Sequence, residues 1–453
     1  MIIVVRRAVV LMVLMIAIGV RAQEGRFNPI GAVEAFWLPD TACAAGLGWD
    51  RIIFDWAQHQ PTGADDWNTL NVDDRWLDAA RNCDREVVAI VKHTPAWATD
   101  GAVNAGVPRG LDLPIDDPGN LWAGFMRRAA AYYAPRGVSR FIVWNEPDIP
   151  AGTYGFIFEG DLNQYARLLK VAALAARQGN PDVRIHIAGT TYWHDVNAGR
   201  ALYVDRLLEV IAADPDAPAH GYYFDALSVH VYFRTDTVYD IVLANRAALD
   251  AHGMSDKAVW IVETNASPNL DPAWRVERPN WQITLEGQSA FLVQAAASGF
   301  AAGAERIAAY KLFDWNLAPG AESFGLIRAD ETHRPAFDTW TRLAALASQW
   351  DTARASLART ATSVAVRLPH SDGRETIIAW ARAADPVQVR ITSSAGFATM
   401  GDAFGSAGQM AARNGAFTVA LPGAICNPID GCPVGGQPLI VTLPSLADAI
   451  EMP

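Results

Sequence analysis

The sequence is poor in cysteine, and several common catalytic signatures are missing from it. Four cysteines occur in 453 residues, and they form no Cys-x-x-Cys pair and no other zinc spacing. No His-Glu-x-x-His or Gly-x-Ser-x-Gly motif is present, so the sequence offers no metalloprotease or esterase site. We therefore expect neither a metal ion nor a cofactor.

Basic residues are also in the minority, which restricts the possible partners. Lysine and arginine total 37 against 49 aspartates and glutamates, so the formal net charge is −12. A nucleic-acid-binding protein needs a basic face to neutralise phosphates, and this composition argues against such a partner. A neutral or weakly charged substrate fits the composition better.

The N-terminal segment has the pattern of a secretory signal peptide. Arg6 and Arg7 form a basic start, residues 8–20 are apolar, and Ala22 ends a cleavage site. A membrane anchor is the alternative, but the apolar run is shorter than the about 20 residues that a spanning helix needs. We expect residues 1–22 to be removed and the protein to be secreted, to the extracellular or cell-envelope space. No stable membrane insertion is expected after cleavage.

The four cysteines all follow this cleavage site, and an exported chain permits disulfides. Pairing Cys43 with Cys83 and Cys426 with Cys432 would respect the domain division described below. Four cysteines allow three connectivities, and the sequence leaves all three open.

Residues 28–348 alternate short apolar segments with amphipathic helical patterns, such as those beginning at residues 121, 162 and 285. Eight strands alternating with helices over this length predict an α/β fold, a (β/α)8 TIM barrel. A doubly wound open sheet is the alternative, and the absence of a glycine-rich loop after the first strand disfavours it. The predicted strands are 30–36, 51–55, 86–92, 141–145, 184–188, 226–231, 259–263 and 308–312.

Residues 352–447 have a different character, with short apolar or alternating segments separated by turn residues. The predicted strands are 363–368, 375–381, 387–391, 416–421 and 438–443. This spacing is typical of a small C-terminal antiparallel β-sandwich domain.

Two glutamates stand at the ends of predicted barrel strands. Glu146 ends the fourth strand and Glu263 the seventh, so both side chains are expected in the same mouth of the barrel. Glycoside cleavage with retention needs two such carboxyl groups, one protonated and one ionised. A solvated rim residue is the alternative for each glutamate, and it is weaker for Glu146 because an asparagine precedes it.

The sequence Trp-Asn-Glu-Pro at 144–147 resembles the acid/base motif of the clan A glycoside hydrolases. These are TIM-barrel enzymes with catalytic glutamates on strands four and seven. Thr-Pro-Ala-Trp-Ala at 94–98 is similar to family 39 of that clan and its relatives. Residues 324–337, before the last helix, are similar to the same group, and so is the order of barrel and sandwich.

The resemblance implies roles for particular residues. Glu146 would be the acid/base and Glu263 the nucleophile, while Asn145 would hold the substrate's 2-hydroxyl. Tyr232 would donate a hydrogen bond to Glu263 and keep its pKa low. Ordinary strand packing is the alternative for Tyr232 and for His230. Further expected contacts in the mouth are His230, Trp315, Trp97, His93 and Arg51, the last as the residue that orients the nucleophile.

The expected function is hydrolysis of O-glycosidic bonds in an extracellular oligo- or polysaccharide, by double displacement at β-linked sugars. The β configuration is implied by the clan resemblance. Endo action is favoured because export implies polymer substrates, with exo action as the nearest alternative. A transglycosidase would use the same residues, and a non-catalytic glycan-binding barrel is the alternative from another class.

Overall fold

The computed structural model describes residues 28–453, so the predicted signal peptide lies outside the described residues. Eight parallel strands pair in sequence order, and β1 also pairs with β8, which closes the barrel. The predicted TIM barrel is confirmed and the open sheet is excluded. The strands are β1 (Ile30–Val33), β2 (Trp49–Asp55), β3 (Glu86–Lys92), β4 (Arg140–Val143), β5 (Arg184–Thr190), β6 (Ala226–Tyr232), β7 (Ala258–Asn265) and β8 (Arg306–Ala309).

The amino end of the barrel is filled by large side chains. Trp49 and Trp260 meet edge to face with ring centroids 5.3 Å apart. Arg140 and Arg306 lie over the Trp260 ring, 4.6 and 4.3 Å from its centroid. Gly31 is required beside Trp49, because a Cβ there would lie 2.6 Å from the indole ring. This end is therefore packed, and the carboxyl ends of the strands are left to form a site.

Helices cover the outside of the barrel. The helix after β4 begins at a capping box, in which Asp161 and Gln164 each accept a hydrogen bond from the other's backbone N–H. None of the described helices is both long and apolar enough to cross a membrane. The helices are α1 (Pro39–Ala44), α2 (Trp56–His59), α3 (Asp74–Arg81), α4 (Leu121–Tyr133), α5 (Leu162–Gly179), α6 (Trp193–Asn197), α7 (Tyr203–Ala212), α8 (Thr235–Ala251), α9 (Leu285–Ala301) and α10 (Pro335–Ala347).

Several strand ends differ from the prediction. β1 ends at Val33 because Glu34 adopts a left-handed conformation with φ 58° and a 3-10 helix follows. β4 ends at Val143 because Trp144 is left-handed, with φ 74°. β8 begins at Arg306, two residues before the predicted start. Apolar character continues through these turns, so the sequence pattern does not reveal them.

The C-terminal strands form antiparallel sheets, as predicted. A six-stranded sheet in the order β14-β13-β18-β11-β10-β9 and a three-stranded sheet in the order β15-β12-β19 enclose a small apolar core. The predicted strands are β10 (Ser363–Pro369), β11 (Glu375–Ala381), β12 (Val387–Thr392), β15 (Ala416–Leu421) and β18 (Leu439–Leu443). The strands that the prediction missed are β9 (Ser356–Arg359), β13 (Phe397–Asp402), β14 (Ala407–Ala411), β16 (Ile425–Asn427), β17 (Gly431–Val434) and β19 (Ala449–Glu451).

A buried glutamine joins the barrel to the C-terminal part. The Gln294 side chain, on α9, donates to the Gly436 carbonyl at 2.7 Å and accepts from the Gly435 N–H at 3.0 Å. The structure also contains the Cys43–Cys83 and Cys426–Cys432 disulfides, one in each part of the chain.

Replacing Gln294 with leucine should lower the free energy of unfolding by about 1–3 kcal/mol, because the buried Gly436 carbonyl loses its partner and an unpaired buried polar group costs about that much. Urea unfolding followed by tryptophan fluorescence would measure the loss. Gln409→Leu, at an exposed position of β14, is the matched control and should change stability by less than about 0.5 kcal/mol. Equal effects of the two substitutions would contradict the role of Gln294.

Candidate active site

The chain turns sharply where it delivers Glu146 to the mouth of the barrel. Trp144 and Glu146 both have positive φ, 74° and 40°, which side chains other than glycine rarely adopt. The Trp144 N–H donates to the Val91 carbonyl and the Glu146 N–H to the Gly189 carbonyl, so neighbouring strands stabilise the turn. Such strain is typical of functional sites.

The two predicted glutamates lie together. A carboxylate oxygen of Glu146, one of Glu263 and a ring nitrogen of His230 lie within 4.8 Å of one another. Glu263 is buried, and Glu146 is partly exposed. The barrel therefore brings two carboxyl groups from β7 and the end of β4 to one point at its carboxyl end.

Glu263 is held in its ionised form. Arg51 Nη2 lies 2.5 Å from its Oε1, and the Tyr232 hydroxyl donates to its Oε2. Burial by itself raises the pKa of Glu263, but attraction to Arg51 and His230 and the two hydrogen bonds outweigh it and lower the pKa to about 2. The carboxylate is thus charged at any ordinary pH and faces the mouth.

Glu146 has a different environment. Its Oε1 lies 2.7 Å from His230 Nδ1, and the Asn145 amide donates to its Oε2 at 3.4 Å. Burial lowers the pKa of His230, and the opposing attraction of Glu263 and Glu146 raises it above its ordinary value. Glu146 and His230 are therefore placed to share a proton, whereas Glu263 is paired with a permanent cation.

The remaining predicted residues lie on the rim. His93 Nδ1 is 2.7 Å from Asp55 Oδ2. Trp97 donates its indole N–H to the Gln60 carbonyl. Trp315 is half exposed and stacks on Trp37, with ring centroids 4.5 Å apart and planes 8° from parallel. Of the predicted residues, those that the structure brings to the glutamates are Arg51, Asn145, His230 and Tyr232. Those that contact other residues instead are His93, Trp97 and Trp315.

A cleft of about 480 Å³ adjoins Glu146, and the sequence analysis did not predict most of its lining. Trp193 begins α6 after β5, Phe233 follows β6, and Trp281 comes from the long loop after β7. Phe233 and Trp281 stack with ring centroids 5.5 Å apart. These aromatic residues lie outside any strand, so period-two alternation gave no signal for them.

The C-terminal part contacts the backbone beside this cleft. Asp430, in the loop that the Cys426–Cys432 disulfide closes, accepts a hydrogen bond from the backbone N–H of Gln282 at 2.8 Å. Gln282 follows Trp281 directly. The loop therefore supports the wall of the cleft.

Glu146, His230 and Glu263 also have the mutual spacing that a metal ion would require. Both oxygens of Glu263 are already engaged, one by Arg51 and one by Tyr232. The negative charge of Glu263 is thus balanced by a guanidinium, and this arrangement needs no metal ion to hold it.

The architecture matches solved glycoside hydrolases at low sequence identity. A family 39 glycoside hydrolase from Bacteroides cellulosilyticus aligns with a TM-score of 0.67 and 13% identity, over 92% of this chain and 81% of that one. The family 39 enzyme from Xanthomonas axonopodis pv. citri gives 0.58 and 14%, over 93% and 94%. A family 30 endoxylanase from Clostridium papyrosolvens gives 0.59 and 12%, over 92% and 96%.

These comparisons confirm the expected resemblance to clan A at the level of the fold. No protein-family model matches the chain, and no curated protein matches it by sequence. At such identities the likeness shows the fold alone, and the activity has to be argued from the site.

The position of the His230 ring depends on a glycine. A Cβ at Gly189 would lie 2.1 Å from His230 Nε2, so the ring and an alanine side chain cannot share this space. Gly189→Ala should therefore lower the free energy of unfolding by about 1–3 kcal/mol. Adding His230→Ala should recover most of the loss in a double-mutant cycle measured by thermal unfolding.

Gly124→Ala is the control, because Gly124 lies near the start of α4 and a Cβ there meets nothing within 4 Å. It should stabilise the protein by about 0.5–1 kcal/mol. Additive effects of Gly189→Ala and His230→Ala would contradict the close contact.

Proposed function

We propose that the chain is a secreted retaining β-glycosidase that hydrolyses O-glycosidic bonds of an oligo- or polysaccharide. The observation that carries the proposal is the pair of glutamates with oxygens within 4.8 Å. Retaining glycosidases hold their two carboxyl groups about 5–5.5 Å apart, whereas inverting ones leave about 6.5–9.5 Å for a water molecule. The match of the fold to glycoside hydrolases supports the same class of reaction.

The first step needs an ionised nucleophile and a proton donor. Glu263, kept charged by Arg51 and Tyr232, attacks the anomeric carbon. Glu146 gives its proton to the glycosidic oxygen, the bond to the leaving group breaks, and a glycosyl ester of Glu263 forms. The hydrogen bond between His230 and Glu146 holds the Glu146 carboxyl toward the mouth.

The second step reverses the roles. In the ester Glu263 is neutral, so a negative charge within 4.8 Å of Glu146 has disappeared and ionised Glu146 is favoured. Glu146 takes a proton from water, the oxygen of that water attacks the anomeric carbon, and Glu263 leaves as a carboxylate. The sugar is released with its original configuration.

The cleft beside Glu146 fits a sugar as the leaving group. The acid must lie next to the glycosidic oxygen, so the leaving group extends over the loops that carry Trp193, Phe233 and Trp281. Aromatic faces suit the apolar faces of pyranose rings. A binding cleft on this side favours a chain of sugars over a small alcohol as the leaving group.

Replacing the glutamates tests the mechanism. On a panel of aryl β-glycosides, Glu263→Ala should abolish turnover, and Glu146→Ala should cost about 10²–10⁴-fold on substrates with poor leaving groups. Azide should rescue both variants. The product of Glu263→Ala should be a glycosyl azide of inverted configuration, and that of Glu146→Ala one of retained configuration.

Glu209→Ala, at an exposed position on α7, is the control and should behave as wild type. The absence of turnover across aryl glycosides and soluble polysaccharides, together with glycan binding that survives both substitutions, would overturn the proposal in favour of a binding protein.

Arg51→Met tests the charge of the nucleophile. Without Arg51 the effect of burial is less opposed, so the pKa of Glu263 should rise from about 2 toward or above its ordinary 4.5. The acid limb of the kcat/KM profile should move to higher pH. An unchanged acid limb would contradict the role of Arg51.

The free energy of unfolding should depend on pH through the same lowered pKa of Glu263. The pKa of Glu263 is lower in the folded than in the unfolded protein, so its ionisation stabilises the fold above pH 4.5, and this contribution is lost as the pH falls toward 2. Arg51→Met should lower the free energy of unfolding by about 3–5 kcal/mol above pH 4.5, and progressively less below it. Arg75→Met, which removes an exposed partner of Asp73, is the control.

A further inference from the structure

One lysine differs from all others in the chain. The sequence contains only four lysines. Lys170, Lys257 and Lys311 each lie within 4.0 Å of a carboxylate oxygen. Lys92, the last residue of β3, makes no hydrogen bond or ion pair through its ammonium group with any residue in the range 28–453, although it is partly buried.

Lys92 faces the mouth of the barrel. Val88 and Ile90 belong to the apolar cluster inside the barrel, and side chains two residues apart on a strand point the same way. Burial and repulsion from Arg51 lower the pKa of Lys92. The carboxylates of Glu263, Asp55 and Glu146 attract its ammonium and oppose this shift.

The close contacts of those carboxylates are made with other residues. Asp55 accepts from the Gln58 N–H through one oxygen and contacts His93 through the other. The oxygens of Glu263 are contacted by Arg51 and Tyr232. Those of Glu146 are contacted by His230 and Asn145. The Lys92 ammonium therefore lies partly buried at the mouth without a close acceptor among residues 28–453, and an anionic group of a substrate would supply one.

The position of Lys92 in the barrel indicates which part of a substrate it would contact. The leaving group lies over the loops after β5, β6 and β7, on the side of Glu146. Lys92 stands on β3, beside β2, which carries Arg51. The glycone, on the far side of the scissile bond from the leaving group, therefore lies over Lys92.

We propose that Lys92 binds an anionic group on the sugar of the glycone side, a carboxylate or a sulfate ester, and that the substrate is an acidic polysaccharide. The inference rests on the proposed glycosidase function and names its substrate class. It differs from the neutral or weakly charged substrate expected from the net charge of −12, because the charge at one position in the site decides recognition.

The test compares matched substrates. Wild type, Lys92→Met and Lys92→Arg are assayed on 4-nitrophenyl β-glucuronide beside the β-glucoside, and on the β-galacturonide beside the β-galactoside. The 6-sulfates of both neutral glycosides form a further arm, which distinguishes sulfate from carboxylate. Wild type should have the higher kcat/KM on an acidic member of a pair. Lys92→Met should lower that acidic-to-neutral ratio by about 10- to 100-fold, and Lys92→Arg should keep more of it.

The ratio is informative because a general loss of folding would lower both members of a pair alike. Lys257→Met, whose ammonium pairs with Asp256 away from the glutamates, should leave the ratio unchanged. Two results would overturn this inference alone. One is that wild type turns over neutral glycosides without preferring the acidic ones, and the other is that Lys92→Met loses equal activity on both members of each pair. No turnover of any glycoside by wild type would overturn the proposed function and the inference together.

Discussion

Arg51 and Glu263 form a buried ion pair, and the rest of the site is arranged around it. Transferring two charges from water into a protein costs several kcal/mol for each ion, and the pair regains this only with good geometry and further hydrogen bonds. Tyr232 supplies one such bond to Glu263, but Arg51 Nε and Nη1 are buried without partners. A flexible loop would not hold such a pair, whereas two strands of a closed barrel do.

The closed barrel also places two chemically identical carboxyl groups in different environments. Glu263 faces a guanidinium that cannot release its proton at ordinary pH, and it is therefore fixed as a carboxylate. Glu146 faces His230, an imidazole that can give or take a proton. Acid/base work and nucleophilic attack need this difference between two glutamates only a few ångströms apart.

The C-terminal part contributes to the site indirectly. Gln294 joins it to the barrel through two buried hydrogen bonds, and Asp430 supports the backbone next to Trp281. The sandwich therefore helps to position an aromatic wall of the cleft. The sequence pattern showed the sandwich strands with the strongest alternation, but it missed exposed strands such as β13 and β14, which are rich in small residues and have weak β-propensity.

The amino-acid sequence by itself determined the class of fold and the two glutamates, because both depend on local patterns. Buried parallel strands are short apolar runs, and a functional residue at a strand end is visible in the chain. Only the tertiary structure decided which of the expected neighbours contact the glutamates. Arg51 reaches Glu263 across strands that are far apart in sequence, and His230 fits only because residue 189 is a glycine. The surroundings of Lys92 are also decided only when the barrel closes, because Glu263, Asp55 and Glu146 come from parts of the chain that are far apart in sequence.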